Sequence, residues 1–439
     1  MLFVKKIYLT LTFLVCFLKK QYNLALNICQ KLIEKSYYIP KKPIIDYDSM
    51  LCSIGRNIIL SNQLSAGDSL LTNNFYEPQP NKLLILNSEI YDMGGHTEAI
   101  LRFVEVFKNE YNIDFLITSL YNSSNNLAPV KSLLIKNNVN SFIELPVDMS
   151  YEKKVMELFN AIIANRYSAI FVNIHMQDVV SCAVLGVLHK YTKIKIIFYN
   201  HADHMFSLGT SFADLILTRV KNNRALSPYL YDNKNVQQIL FCVRQKDKSE
   251  KKLQSLKLRQ MLNIPENAFV TLSGGDSFKF GKSYFKLIKK ILKKHENVYH
   301  ICVSNFSTKD KQKIEKYLNE KQRFKLIKYV TDFDQYICMG DLFIDSYTQG
   351  AALTLVDCIK CSTPVVVRVN EEEPLKSFES YLFDYEFKGR NLREMFEKIS
   401  LLVTNREKYN IAVQDVKRIF KNNYDIEVVK LKYKEILNG

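Results

Sequence analysis

Thr354 and Asp357 stand one helical turn apart in a stretch, Gly340 to Arg368, that reads as strand, polar loop, short helix, strand. Leu342 to Ile344 is an apolar run of the kind a parallel strand buried on both faces shows. Ser346 to Ala352 is small and polar, and Gly350 is the expected point of tight turning. A helix beginning within Ala351 to Thr354 would leave its first backbone N–H groups unpaired and aimed at the loop. Those donors, the positive end of the helix dipole and the Thr354 hydroxyl make an anion site. Asp357 lies one turn deeper on the same face and can accept a hydrogen bond. A phosphate held by donors beside a hydroxyl held by a carboxylate is the outline of a nucleotide site.

Three other segments carry chemistry at strand ends. Met93-Gly94-Gly95-His96-Thr97 follows the first predicted strand and opens a helix, so backbone can approach a ligand closely there. Tyr199-Asn200-His201-Ala202-Asp203-His204 follows the fifth, with Asp203 able to orient the His201 ring or take a proton itself. His201 and His204 could instead ligate a metal, but no second ligand cluster is evident and no metal is expected. His175 ends the fourth predicted strand, on the same sheet edge as His201 if both strands are parallel. Ser273 to Lys282 superficially suggests a P-loop. Five residues separate Gly275 from Gly281, however, and Phe278 and Phe280 would crowd a backbone cradle. Lys279 and then Lys282 are the cations of this loop.

At 439 residues the chain has room for two or three domains, and its 47% hydrophobic and 24% charged content is that of a globular protein. A net charge of +16 favours an anionic partner: a nucleotide or an acidic lipid surface. Nucleic acid is not expected, because neither a recognition fold nor a stacking platform is evident. The nine cysteines read as reduced cytosolic thiols rather than a disulfide framework. Ile7 to Leu18 is shorter than the roughly 20 residues of a spanning helix. No small-residue cleavage site follows it, so it reads as a buried helix or as a basic helix touching a membrane.

Residues 1 to 75 read as helices Ile7–Lys20, Leu24–Tyr37 and Asp46–Gln63, with a polar linker following. From Lys82 strands alternate with helices: Leu83–Leu86, Phe115–Ser119, Phe142–Leu145, Ala169–Asn173, Ile194–Phe198 and Leu215–Leu217 are strands. A second unit starts at Phe269–Leu272 and ends with helices Leu392–Val403 and one from Ile426. This is an α/β chain with a helical extension at 1–75, one Rossmann-like domain at 76–245 and another at 246–439.

The stretch around Asp357 resembles the donor loop of GT-B glycosyltransferases. In the large retaining family the loop carries E-x7-E. Asp357 takes the second place and Gln349 the first, so one carboxylate is missing. The O-GlcNAc-transferase-like family has a similar loop whose Thr and Asp spacing matches Thr354 and Asp357, with Ala352 in place of its histidine. The resemblance implies two Rossmann-like domains facing a cleft, with the last helix returning to the first domain. It implies a nucleotide-sugar donor, UDP-sugar foremost, held by Gly94, Gly95, His96, Lys279, Lys282, Gln349, Gly350, Ala351, Leu353, Thr354 and Asp357. It makes Asp357 the ribose ligand, Lys279 the partner of the diphosphate, and His201, Asp203 and Lys279 the catalytic set. His175 and His204 fall on the side of a glycan, lipid-linked or protein acceptor. The setting would be cytoplasmic, at the inner face of the membrane, in surface glycan assembly. A nucleotide-sugar 2-epimerase and a non-catalytic binding protein on the same frame are the rival readings.

Overall fold

The computed structural model describes residues 2–35, 45–62, 76–91, 95–120, 127–201, 205–218, 235–238, 242, 249–320, 322–330, 332–373, 376–377 and 379–438. Met93, Gly94, Asp203 and His204 therefore lie outside the described residues. The chain divides into two compact units, Met1–Ile239 and Leu240–Gly439.

The first unit holds a parallel sheet of seven strands: β1 (Gln79–Asn87), β2 (Asn112–Ile117), β3 (Val139–Glu144), β4 (Tyr167–Asn173), β5 (Lys195–Tyr199), β6 (Leu215–Thr218) and β7 (Val236–Gln238). Their order is β3-β2-β1-β4-β5-β6-β7, the doubly wound arrangement with its switch point between β1 and β4. Burial on both faces explains the strand composition: Leu83 to Leu86 and Ile170 to Val172 are at most 1% exposed. The helices are α1 (Leu2–Leu18), α2 (Tyr22–Lys35), α3 (Tyr47–Asn62), α4 (Gly95–Phe107), α5 (Ala128–Lys136), α6 (Tyr151–Asn165) and α7 (Val179–Tyr191).

Helix α7 is apolar all round, and every residue from Val179 to Leu188 is buried. A helix of that kind needs a cover on the side away from the sheet, and α3 supplies it. The two approach closely because Gly55 has no side chain: a Cβ there would fall 2.3 Å from the Ala183 carbonyl oxygen. Asp48 of α3 also accepts from the Gly209 and Ser211 N–H groups at 2.9 and 3.3 Å, fixing the loop that leads into β6. The N-terminal helices are thus part of the first unit's packing. The expectation of a buried first helix is met on one face only. Phe13 and Cys16 are buried, while Tyr8, Leu11, Val15 and Leu18 are 47–77% exposed. Among the described residues no helix is long and apolar enough to cross a membrane.

The second unit repeats the plan with β8 (Phe269–Gly274), β9 (Val298–Val303), β10 (Phe324–Ile327), β11 (Leu342–Ile344), β12 (Val365–Arg368) and β13 (Lys388–Gly389), ordered β10-β9-β8-β11-β12-β13 and all parallel. Its helices are α8 (Ser249–Met261), α9 (Lys282–Lys294), α10 (Thr308–Leu318), α11 (Phe333–Met339), α12 (Leu353–Lys360), α13 (Leu392–Thr404), α14 (Arg406–Ile419) and α15 (Ile426–Asn438). The cysteines depart from expectation: Cys338, near the end of α11, and Cys361, the C-cap of α12, form a disulfide with 5.4 Å between their Cα atoms. Their separation of 23 residues gave no sign of the meeting.

The polar interaction that closes the carboxyl edge of the first sheet is centred on Asp178, the fully buried N-cap of α7. It accepts from Ser88 Oγ after β1 (2.6 Å), Thr118 Oγ1 after β2 (2.8 Å), and the Ser181 N–H and hydroxyl (both 2.9 Å). Removing a buried acceptor leaves each of these donors unmet. Asp178→Ala is expected to lower unfolding stability by about 2–5 kcal/mol, measured by urea denaturation with Asp178→Asn as the milder companion. A loss below about 1 kcal/mol would place the hub outside the interactions that hold this edge.

Candidate functional site

In each unit the residues with chemistry leave the sheet at the carboxyl ends of the strands next to the switch point, where ligands of such sheets bind. In the first unit these are His96, at the second position of α4, His175, two residues beyond β4, and His201, two beyond β5. The ring centroids of His96 and His201 are 4.8 Å apart, those of His96 and His175 5.5 Å, and those of His175 and His201 5.9 Å. One ring nitrogen from each lies within 4.8 Å of the others, so the three are arranged as a metal could use them.

The first two rings are placed by separate local devices. Thr97 donates its hydroxyl to the Tyr91 carbonyl oxygen (2.6 Å) and accepts from the Tyr91 N–H (3.1 Å), which closes the loop ahead of α4. Asn173 Nδ2 meets His96 Nε2 at 2.9 Å and is itself anchored on Asn87 Oδ1 at 2.7 Å. The His175 N–H donates to Ser88 Oγ, the hydroxyl that in turn donates to Asp178. Burial, and then the neighbouring His175 ring, push the His96 pKa down to about 3. Burial also lowers that of His175, against the pull of Asp178. Both rings are therefore neutral near pH 7, with lone pairs available.

In the second unit the loop after β11 runs over Asp345, which is 1% exposed. Its Oδ1 accepts the Ala351 N–H at 2.8 Å. Burial raises its pKa to about 7, against that hydrogen bond and the charge of Lys279. Lys279, from the loop after β8, reaches the same place: its Nζ donates to the Gly350 carbonyl at 3.4 Å. Arg368, ending β12, donates to the Tyr347 carbonyl at 2.6 Å and lies 4.2 Å from the Tyr347 ring centre. Lys282 instead lines a groove of about 540 Å³ with Lys286, Phe285, Lys313, Ile314 and Tyr317.

The start of α12 differs in detail from the simple picture of an open helix end. The Ala351 N–H is taken by Asp345, the Gly350 N–H by the Lys376 carbonyl, and the Thr354 N–H by the Ala351 carbonyl. Ala352 and Leu353 retain N–H groups that no described residue accepts. The Thr354-to-Ala351 bond closes a turn in which Ala352 has φ 49° and ψ −121°, the first central position of a type II′ turn. The tight turning expected at Gly350 is therefore at Ala352, where an L side chain is strained, and Gly350 is not among the positive-φ glycines. Thr354 and Asp357 are half-buried on one face of α12, and Gln349 is half-buried with its carbonyl accepting from Ser346 Oγ.

Sequence reasoning thus placed His96, His175, His201, Lys279, Thr354 and Asp357 at sheet edges, and the structure brings the first three together and sets Lys279 against the loop after β11. It missed Asp178 and Asp345. An aspartate just past an apolar run is the available signal, but it is shared by every ordinary helix cap.

No protein-family model matches the sequence, and no curated protein matches it. Solved structures do. HepE from Anabaena, in complex with UDP and glucose, aligns over 81% of this chain and 99% of its own at 16% identity, with a TM-score of 0.63. An O-GlcNAc transferase from Thermobaculum terrenum aligns over 96% of this chain and 81% of its own (10% identity, TM-score 0.56). A putative UDP-N-acetylglucosamine 2-epimerase from Listeria monocytogenes aligns over 81% and 95% (13%, 0.52). The fold is GT-B, and its structural neighbours include glycosyltransferases.

Two measurements test the second unit's loop. Ala352→Gly is expected to raise stability by about 1 kcal/mol, since glycine takes this backbone region without strain. An unchanged or lower urea midpoint would contradict the turn. For Asp345 the folded pKa exceeds the unfolded one, so the folded state binds more protons between about pH 4 and 7 and stability falls as pH rises through that window. Asp345→Asn keeps an acceptor for the Ala351 N–H without the charge. Its stability relative to the native chain is expected to be higher at pH 8 than at pH 5, and equal differences at the two pH values would refute the shift.

Proposed function

We propose that this chain is a metal-independent glycosyltransferase that moves a hexosyl group from a nucleotide diphosphate-sugar to a glycan, lipid-linked or protein acceptor. The observation that carries the reading is the loop of the second unit. The unaccepted Ala352 and Leu353 N–H groups, the Thr354 hydroxyl and Lys279 surround one turn of backbone, with Asp357 one helical turn away.

In this reading the amides and Thr354 hold a phosphate at the positive end of α12. Asp357 accepts from the ribose hydroxyls. Lys279 faces the diphosphate and neutralises charge that grows on it as the glycosidic bond breaks, the stage at which a fixed cation lowers the barrier. Arg368, on the same loop through Tyr347, is a second cation for the diphosphate. His201 and Asp203 serve the acceptor hydroxyl, His175 and His204 line the acceptor side, and Gly94, Gly95 and His96 approach the donor from the first unit. UDP is the favoured nucleotide, because the HepE structure holds UDP. The net charge of +16 suits work at an acidic inner membrane face, in surface glycan assembly.

The 2-epimerase reading is supported by the Listeria neighbour and separates cleanly by product. With a UDP-sugar and no acceptor, a transferase is expected to give slow hydrolysis to UDP and free sugar, and an epimerase a second UDP-sugar.

A thermal-shift screen of UDP-, GDP-, ADP- and CMP-sugars is expected to show stabilisation by the UDP series. Asp357→Ala and Lys279→Ala are expected to remove that shift and lower turnover by about 10²–10³-fold with unchanged circular dichroism. A panel in which no nucleotide stabilises the chain, or variants as responsive as the native protein, would exclude this function.

A further inference from the structure

We propose that His96, His175 and His201 form a binding site for one divalent transition cation of the zinc type, in the first unit and apart from the anion site of the second. The chain has seven histidines, and three of them, from three different strand-end loops, bring ring nitrogens within 4.8 Å of one another. A cation bound here would occupy the His201 lone pair and leave the acceptor hydroxyl to Asp203 alone, while the binding test below is read without any glycosyl transfer.

The chemistry of the donor set names the ligand. Three imidazoles, those of His96 and His175 uncharged near pH 7, suit Zn²⁺, Ni²⁺ or Cu²⁺, whereas Mg²⁺ and Ca²⁺ take oxygen ligands. Zinc–nitrogen bonds of about 2.0–2.1 Å in tetrahedral geometry set nitrogens about 3.4 Å apart. The rings need move only about 1 Å each from their present spread.

His96 supplies the second observation. Its Nδ1 is buried and has no hydrogen-bond partner among the described residues, while Nε2 is held from behind by the Asn173 amide at 2.9 Å. A cation at Nδ1 places the ring proton on Nε2, so the Asn173 and Asn87 amides must turn together for Asn173 Oδ1 to accept it, giving up the Asn87 bond to the Ile85 carbonyl (3.4 Å). A ligating histidine fixed through its other nitrogen by an amide or carboxylate is the usual second layer of a metal site. Asp178, whose charge acts on the His175 ring, partly balances the dication.

The test uses the full-length chain stripped with chelator and titrated with Zn²⁺ in competition with a chromogenic chelator, then with Co²⁺ for its visible spectrum. One equivalent is expected to bind, unaffected by excess Mg²⁺ and by alkylation of accessible thiols, with Co²⁺ giving the intense bands of a low-coordinate site. His175→Gln and His201→Gln are each expected to weaken Zn²⁺ binding by about 10–100-fold, and His189→Gln to leave it unchanged. His96→Gln is expected to match the first two; should it fail to fold, the other pair decides. No bound equivalent, or binding that survives both His175→Gln and His201→Gln in folded protein, overturns the proposal.

Discussion

Asp178 and Asp345 each lie buried where a parallel sheet gives way to the loops above it, and each accepts a backbone N–H at or just before the start of a helix, from Ser181 and Ala351 respectively. Parallel strands make such a group necessary. Every strand delivers its carboxyl end to the same edge, so that edge collects loops whose polar backbone must be satisfied away from water. A carboxylate accepts several such donors at once. Asp178 gathers Ser88, Thr118 and Ser181 in this way, and the His175 N–H joins through Ser88. The position of the His175 backbone and the course of the loop after β11 both follow from what these two residues hold down.

The two edges have opposite electrical character, and burial sets it in each. On the first, burial keeps the His96 and His175 imidazoles uncharged near pH 7. On the second, burial of Asp345 raises its pKa towards neutrality, so the carboxylate under the loop is only a partial counter-charge for Lys279. The loop above therefore keeps a positive field from Lys279, Arg368 and the α12 dipole.

The sheets were legible because strands buried on both faces read as apolar runs, and the predicted strands fall within a few residues of β1 to β6, β8, β11 and β12. What escaped was marginal or polar. β7 is a half-buried edge strand of three residues, β13 has two, and α14 is a charged helix with only Ala412, Val416 and Ile419 buried. The histidines were legible singly, as residues at strand ends. Their meeting was not, because His96 and His201 are 105 positions apart and only the strand order joins them. Lys279 was legible by its loop, while Lys282, three residues on, begins the next helix and faces a different groove.

Ala352 shows where sequence reading stops in principle. A glycine announces a left-handed turn, and an alanine does not, so the expected turn was assigned to Gly350. The backbone takes the strained conformation at Ala352 because both sides of the turn are fixed: Asp345 holds the Ala351 N–H, and the apolar face of α12, with Leu355, Val356 and Ile359 buried, sets the helix position. Between those anchors a type II′ turn closes, and no described residue accepts the Ala352 or Leu353 N–H. The same strain that a glycine would relieve thus accompanies the two backbone donors that the proposed anion site uses, the pattern expected where a local rule gives way to function.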